Sequence, residues 1–325
     1  DKATSAEPYE TCISDIDGDG KPDIAVVNNS SNSVSVLRNT STPGTVSVAA
    51  KIDFTTEANP QSLTAGDIDG DGKPDLVLTN YGSNSISVLR NISIPGTASF
   101  AAKVDFSTGA SSGPAAVSIG DLDADGKPDL ATVNSTTNTV SVFLNTSTTG
   151  SINFASKVDF ATEALPYAVS INDIDGDGKP DISVANFSGS SFSVLRNAST
   201  TGTIAFAPKV DYTTGAGSQA SGICAGDLDG DGKADITVTI ASSNKVSVFR
   251  NTSVPGTISF ATKIVVTTAS GPYKVSAGDI DGDGKPDLAV ASSDVVSKVS
   301  VLRNTSTSGN ISFATKVDLT TGAYT

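Results

Sequence analysis

A nine-residue acidic segment recurs six times in this 325-residue chain, and it constrains the fold more than any other feature. The second copy reads Asp-Ile-Asp-Gly-Asp-Gly-Lys-Pro-Asp, from Asp67 to Asp75. Successive copies start 52, 54, 52, 54 and 52 residues apart. Their first residues are Asp15, Asp67, Asp121, Asp173, Asp227 and Asp279.

Alternating carboxylates predict that each segment is a loop around a metal ion. A loop that curls round one ion turns every second side chain inward, and hard oxygen ligands suit Ca²⁺. The sixth position is glycine in all copies, as a sharp turn there requires. The lysine at position seven is expected to supply its backbone carbonyl while its ammonium points away. The predicted ligands of six Ca²⁺ ions are Asp15, Asp17, Asp19, Lys21, Asp23, Asp67, Asp69, Asp71, Lys73, Asp75, Asp121, Asp123, Asp125, Lys127, Asp129, Asp173, Asp175, Asp177, Lys179, Asp181, Asp227, Asp229, Asp231, Lys233, Asp235, Asp279, Asp281, Asp283, Lys285 and Asp287.

The residues after the loop exclude an EF-hand. That motif needs a bidentate glutamate at position 12, between two helices. Here position 12 is apolar or threonine, and the residues around it are β-branched and predict a strand. The alternative of a merely solvated turn does not explain six copies with the same internal spacing. The position-12 residues are Val26, Leu78, Thr132, Val184, Val238 and Val290.

A repeat of about 50 residues predicts stacked or radial β units. One unit reads as four strands, with the acidic loop between the first and second strand and a fourth strand from about Val46 to Phe54. Four-stranded units repeated radially form a β-propeller. We therefore expect an all-β, six-bladed propeller with four antiparallel strands per blade, as a single domain over 1–325. The predicted blades are about 8–54, 60–106, 114–160, 166–212, 220–266 and 272–319.

Two further positions recur in the repeats. The predicted fourth, outermost strand carries a lysine in every repeat, where a charge deters edge-to-edge association; these are Lys51, Lys103, Lys157, Lys209, Lys263 and Lys316. An asparagine begins an Asn-x-Ser sequence in each repeat, which is either a glycosylation site or a turn asparagine; these are Asn39, Asn91, Asn145, Asn197, Asn251 and Asn304.

Length differences between the repeats fall only in connections on the face opposite the acidic loops. That face also carries aromatic residues at the start of the innermost strand and between the second and third strands. Aromatic rings among asparagines and serines suit a glycan or protein ligand. The alternative is that these rings pack between blades. The candidate ligand-binding residues are Tyr9, Tyr81, Tyr167, Phe187 and Tyr273.

Charge and hydropathy limit the partners. The net charge is −14, but each of the six loops holds four of the 35 acidic residues, and six Ca²⁺ ions would bring the charge to about −2. No basic stripe suits nucleic acid, and no apolar run is long enough to span a membrane. Weak Ca²⁺ loops require millimolar Ca²⁺, which predicts a secreted or cell-surface protein. We expect a monomer or a segment of a larger chain.

The repeated Asp-x-Asp-x-Asp-Gly-x-x-Asp between strands resembles the FG-GAP and VCBS repeats, which form the propeller of integrin α chains and of many bacterial surface proteins and fungal lectins. The resemblance covers about residues 8–319 and implies Ca²⁺ on one face, with ligands on the other face or between blades. The departures are Ala124, at the fourth loop position of repeat 3, and Ala234, in place of proline in repeat 5. Because the Phe-Gly and Gly-Ala-Pro signature is poorly kept, the VCBS branch is favoured.

The residue types in the sequence argue against catalysis. The chain has no histidine, which removes the commonest general base. The strongest enzymatic alternative is a polysaccharide lyase that uses the adjacent Tyr273 and Lys274. We therefore expect a Ca²⁺-stabilised binding or adhesion module that performs no chemistry, with a lyase-like enzyme or a structural spacer of a larger surface protein as alternatives.

Overall fold

The computed structural model describes residues 4–293 and 296–323, and all of the regular structure in these ranges is β except one short 3₁₀ turn. The chain divides into two compact units, Asp1–Phe160 and Ala161–Thr325. Each unit contains three four-stranded sheets, here called blades and numbered 1 to 6 along the chain. None of the described segments forms a helix that could span a bilayer.

Blades 1 to 3 are each built from four consecutive strands in chain order. The strands of blade 1 are β1 Pro8–Ser14, β2 Asp23–Asn28, β3 Ser33–Leu37 and β4 Ile52–Thr55. Those of blade 2 are β5 Pro60–Gly66, β6 Asp75–Asn80, β7 Ser85–Leu89 and β8 Val104–Ser107. Those of blade 3 are β9 Pro114–Gly120, β10 Asp129–Asn134, β11 Thr139–Phe143 and β12 Val158–Ala161.

Blades 4 to 6 repeat this order, with the 3₁₀ turn Ala241–Ser243 inside blade 5. The strands of blade 4 are β13 Pro166–Asn172, β14 Asp181–Asn186, β15 Ser191–Leu195 and β16 Val210–Thr213. Those of blade 5 are β17 Ala220–Gly226, β18 Asp235–Ile240, β19 Lys245–Phe249 and β20 Ile264–Thr267. Those of blade 6 are β21 Pro272–Gly278, β22 Asp287–Ser292, β23 Val296–Leu302 and β24 Val317–Ala323.

The core of each unit lies between neighbouring blades. Both faces of the second strand are covered, so β6 and β14 are buried along their whole length, and the apolar residues 76–78 of β6 are consecutive rather than alternating. In the first unit, Val27 and Val34 of blade 1 pack in one cluster with Leu76 and Leu78 of blade 2. Burying such a side chain contributes about 1.5–3 kcal/mol relative to leaving it exposed. Inter-blade apolar contact therefore holds the sheets together.

These observations confirm the predicted all-β, six-bladed propeller fold with four antiparallel strands per blade. The single-domain assignment stays a prediction. The predicted start of the fourth strand is wrong, because residues 39–48 form a separate tight hairpin with bridges Asn39↔Val48 and Thr42↔Thr45, and β4 begins only at Ile52. Cys12 and Cys224 are both free thiols, and burial raises the pKa of each to about 12.

Candidate metal loops and the opposite face

Each acidic segment lies between the first and second strand of its blade, as predicted. Its ninth residue is the first residue of the second strand, for example Asp23 in β2 and Asp181 in β14. The loop is therefore anchored directly to the most buried strand of the blade. This placement fixes one end of the candidate site.

Hydrogen bonds from the loop backbone set the loop's curvature. In the first loop, Asp15 accepts bonds from the backbone N–H groups of Asp19 at 3.1 Å and Gly20 at 2.8 Å. Gly20 has φ +87°, a left-handed conformation that favours glycine. In the third loop Ala124 occupies the fourth position with φ +60°, so that substitution retains the loop geometry at some backbone strain.

The loop brings the predicted carboxylates together. In loops 1 and 2 the aspartates at positions 1, 3 and 5 place carboxylate oxygens within 4.8 Å of one another, and in loops 3, 4 and 5 those at positions 1, 3 and 9 do so. Clusters of this kind can hold a metal ion. The carbonyl of the seventh position stays a predicted ligand, while the lysine ammonium points to the blade's own hairpin, as where Lys73 donates to the Ser93 carbonyl at 2.8 Å.

The aspartate at position nine is the most buried acid of the loop. Asp75 is fully buried, and its two oxygens accept bonds from the backbone N–H groups of Ile68 at 3.0 Å and Asn91 at 2.7 Å. Burial raises the pKa of its carboxyl to about 6, against the opposing effect of those hydrogen bonds. The pKa is raised to about 6 for the same reason in Asp129, Asp181 and Asp235. A nearby cation offsets the cost of burying such a charge.

The aspartate at position three connects its loop to the next blade. In the first unit, Asp17 accepts a bond from the backbone N–H of Gly96 at 3.2 Å, and Asp69 accepts one from Gly150 at 2.8 Å. In the second unit, the corresponding pairs are Asp175 with Gly256 and Asp229 with Gly309, both at 2.9 Å. The candidate metal ligand is therefore also a contact between neighbouring blades.

The sequence analysis did not identify the role of the Arg-Asn pair that follows the third strand. Arg38 donates to Asp17 at 3.1 Å, and the arginine nitrogen of Arg90 lies 3.9 Å from Asp69. The periodic recurrence of this dipeptide in five repeats, with Leu144 replacing arginine in repeat 3, was the available signal. The arginines of blades 1, 2, 4 and 5 place a positive charge beside the loop carboxylates.

The asparagine of this pair is a structural residue. Asn251 is fully buried; its side-chain nitrogen donates to the Ile174 carbonyl of blade 4 at 2.7 Å and to the Ala234 carbonyl at 2.9 Å. Its side-chain oxygen accepts the N–H of Ser253 at 2.8 Å. Equivalent asparagines at 91, 145, 197 and 304 are at most 3% exposed. These Asn-x-Ser sequences thus serve as buried turns that join a hairpin to an acidic loop.

A cavity of about 540 Å³ lies between the first two acidic loops. Its walls include Asp15, Asp17 and Asp67, together with Lys73 and Pro95. This opening is on the acidic-loop side, whereas the sequence analysis placed the glycan or protein ligand on the opposite face.

Three of the five predicted ligand-binding aromatic residues meet in the second unit. The ring centroid of Tyr167 lies 5.7 Å from that of Phe187 and 5.6 Å from that of Tyr273, and the two tyrosine hydroxyls are hydrogen-bonded. Blade 5 has Ser221 and Gly222 between them; a Cβ on Gly222 would lie 2.7 Å from the Tyr273 carbonyl oxygen. Gly222 of blade 5 therefore lets the strand that carries Tyr273 approach closely.

The remaining two candidates, Tyr9 and Tyr81, lie in the first unit and are each 38% exposed. Tyr81 packs close to Gly113 of the next blade, where an added Cβ would lie 2.9 Å from the Tyr81 ring. All five residues stay predicted ligand contacts, and the structure shows that at least four of them also make packing contacts within their own unit.

The chain belongs to the FG-GAP-like repeat family, whose profile matches it in five overlapping segments, 15–78, 67–132, 121–184, 173–238 and 237–290. No curated protein sequence matches the chain significantly.

Several solved structures share the fold. A lectin from Agrocybe aegerita that recognises non-reducing terminal N-acetylglucosamine has 20% identity and a TM-score of 0.64, with 97% of this chain and 80% of that chain covered. A periplasmic gluconolactonase from Pseudomonas aeruginosa has 15% identity and a TM-score of 0.68, with 99% and 90% covered. Virginiamycin B lyase from Staphylococcus aureus has 14% identity and a TM-score of 0.60, with 97% and 84% covered.

The expectation that this chain performs no chemistry is corrected by these similarities. A gluconolactonase and a lyase share its fold over more than nine-tenths of its length. The fold is therefore compatible with an enzymatic role as well as with binding, and a fold alone does not decide between them.

We predict that Asn251→Ala lowers the free energy of unfolding by about 2 kcal/mol or more, because it leaves two buried carbonyls and one N–H without their partner. The matched control is Asn39→Ala: Asn39 is partly exposed and its side-chain nitrogen donates, among the described residues, only to the Pro22 carbonyl. Denaturant unfolding of the two variants measures the difference. Equal losses would contradict the inter-blade role of Asn251.

Proposed function

We propose that this chain is an extracellular carbohydrate-binding propeller whose six acidic loops hold Ca²⁺. The observation that carries the proposal is the convergence of carboxylate oxygens in the loops, where positions 1 and 3 are joined by position 5 in loops 1 and 2 and by position 9 in loops 3 to 5. Carboxylates and backbone carbonyls are hard oxygen ligands, and the loops contain no imidazole or thiolate that would favour a softer metal. The residues present therefore fit Ca²⁺.

The role of the metal follows from the charges. Each loop gathers four aspartates, one of them buried at the start of the second strand. Bound Ca²⁺ would supply two positive charges that offset their mutual repulsion. The aspartate at position three would then remain in place to accept the hydrogen bond from the Gly96 or Gly256 N–H of the neighbouring blade. Extracellular Ca²⁺ is near millimolar and suits loops of modest affinity, which supports a secreted or cell-surface location.

We predict that removal of Ca²⁺ sharply lowers the melting temperature. With a dissociation constant near ~0.1 mM, ~1 mM Ca²⁺ stabilises the fold by ~1.4 kcal/mol per site, and by ~8 kcal/mol over six independent sites. Melting curves in ~1 mM Ca²⁺ and in excess chelator measure the effect. An unchanged melting temperature in chelator would contradict the Ca²⁺ assignment.

The carbohydrate part of the proposal is supported by the aromatic cluster of Tyr167, Phe187 and Tyr273. All three rings are partly exposed, and they lie at the ends of strands away from the acidic loops. Aromatic faces pack against the C–H groups of sugar rings, while tyrosine hydroxyls can bond to sugar hydroxyls. The similarity in fold to a fungal lectin agrees with this assignment.

We predict saturable binding to a defined sugar in a glycan array, weakened about tenfold or more by Tyr167→Ala or Tyr273→Ala, because each removes a ring from the cluster. The control is Val254→Ala, an exposed apolar residue in the hairpin that follows Asn251. Ca²⁺ affinity should be unchanged in all three variants. Loss of sugar binding and Ca²⁺ affinity together would show that the tyrosines are structural, and no sugar binding by the folded protein would refute the carbohydrate assignment.

A further inference from the structure

A serine–aspartate hydrogen bond joins the third and fourth strands in five of the six blades. Each serine hydroxyl donates to the aspartate directly across the sheet at 2.5–2.7 Å. The pairs are Ser35 with Asp53, Ser87 with Asp105, Ser141 with Asp159, Ser193 with Asp211 and Ser300 with Asp318.

In blades 1 to 4 the same serine also accepts a bond from an asparagine at the end of the second strand. The distances are 2.7–2.9 Å, from Asn28, Asn80, Asn134 and Asn186. A polar chain therefore runs across the outer half of each of these blades and fills the space between the strands.

Blade 5 lacks both partners. Ile240 stands at the asparagine position, and Val265 lies across from Ser247 where the other blades have aspartate. Ser247 is only 2% exposed, and its side chain makes no hydrogen bond within the described residues. Without the asparagine and aspartate partners of the equivalent serines, this hydroxyl is available to bond to a ligand.

A cavity of about 200 Å³ occurs at this place. It lies between the connection that follows β16 and the 3₁₀ turn of blade 5. Ile240 and Val265 form apolar parts of its wall, and Lys245 provides a cation. The hydroxyl-bearing residues that line it are Thr214, Ser218, Ser242, Ser243 and Ser247.

The charged residues beside this cavity differ from those at the same register of the other blades. Lys245 begins β19, where blades 1 to 4 have serine or threonine, and it has no ion-pair partner within the described residues. Blade 6 also has a lysine at this register, Lys298, but it retains Asp318 on the adjoining strand. Blade 5 thus combines an unneutralised lysine with the loss of the aspartate.

We propose that the blade 5 cavity binds a single sugar ring that carries a carboxylate, that is, a hexuronate. The carboxylate pairs with the Lys245 ammonium, and the ring hydroxyls bond to the serine and threonine hydroxyls, including that of Ser247. The C–H face of the ring packs on Ile240 and Val265. The volume suits one ring rather than a peptide. This site is separate from the tyrosine cluster and does not depend on the proposed role of that cluster.

The test compares D-galacturonate with D-galactose, which differ only in the carboxylate at C6, by titration calorimetry of the whole chain in Ca²⁺. We expect galacturonate to bind with a dissociation constant of about 1 mM and galactose at least about tenfold more weakly. Lys245→Gln should weaken galacturonate binding at least about fivefold, because it removes the charge partner. Lys298→Gln, at the same register of blade 6, should leave it unchanged.

Val265→Asp supplies the sharpest variant, since it restores the residue that five other blades carry and that pairs with the preceding lysine there. The new carboxylate should take the Ser247 hydroxyl, fill the cavity and abolish galacturonate binding without lowering the melting temperature. Unchanged binding in Val265→Asp or in Lys245→Gln would overturn the proposal, as would equal affinity for galactose or no binding of galacturonate at about 10 mM.

Discussion

The aspartate at position three of the acidic loop, as in loops 1, 2, 4 and 5, is the contact on which the rest of the structure depends. One of its oxygens accepts an amide of its own loop, and the other accepts an amide of the next blade, as for Asp175 with Asp177 and Gly256. The asparagine at 251 reinforces this junction by bonding to the carbonyl of Ile174 in the neighbouring loop. A cation that holds such a loop in shape would therefore also hold the neighbouring blade in register.

Repetition and variation serve different purposes in this chain. The acidic loops, the buried second strands and the buried asparagines recur in successive blades and form the scaffold. The differences are concentrated in a few side chains, such as Gly222, which lets the backbone of Tyr273 approach closely, and Val265, which replaces a recurrent aspartate. Because the scaffold tolerates such changes, individual blades can acquire binding sites while the fold is retained.

The sequence was sufficient to predict the repeat architecture and the acidic loops, because these depend on local pattern: ligand spacing, glycine at turns and β-branched runs. It did not predict the hairpin over 39–48, whose residues also suit a strand, or the contact of Arg38 with Asp17, which joins residues far apart in the repeat. The meeting of Tyr167 with Tyr273 and the cavity beside Ser247 depend on which residues neighbouring blades lack. Such absences become visible only when the blades are placed side by side.

The central claim, that the acidic loops are Ca²⁺ sites, is tested most directly by counting the bound ions. Equilibrium dialysis against Ca²⁺ followed by elemental analysis should give six ions per chain, one for each loop. Asp175→Asn should lower the count to five, while Asp211→Asn, an acid outside the loops, should leave it at six. A count near zero, or one that does not respond to Asp175→Asn, would contradict the claim.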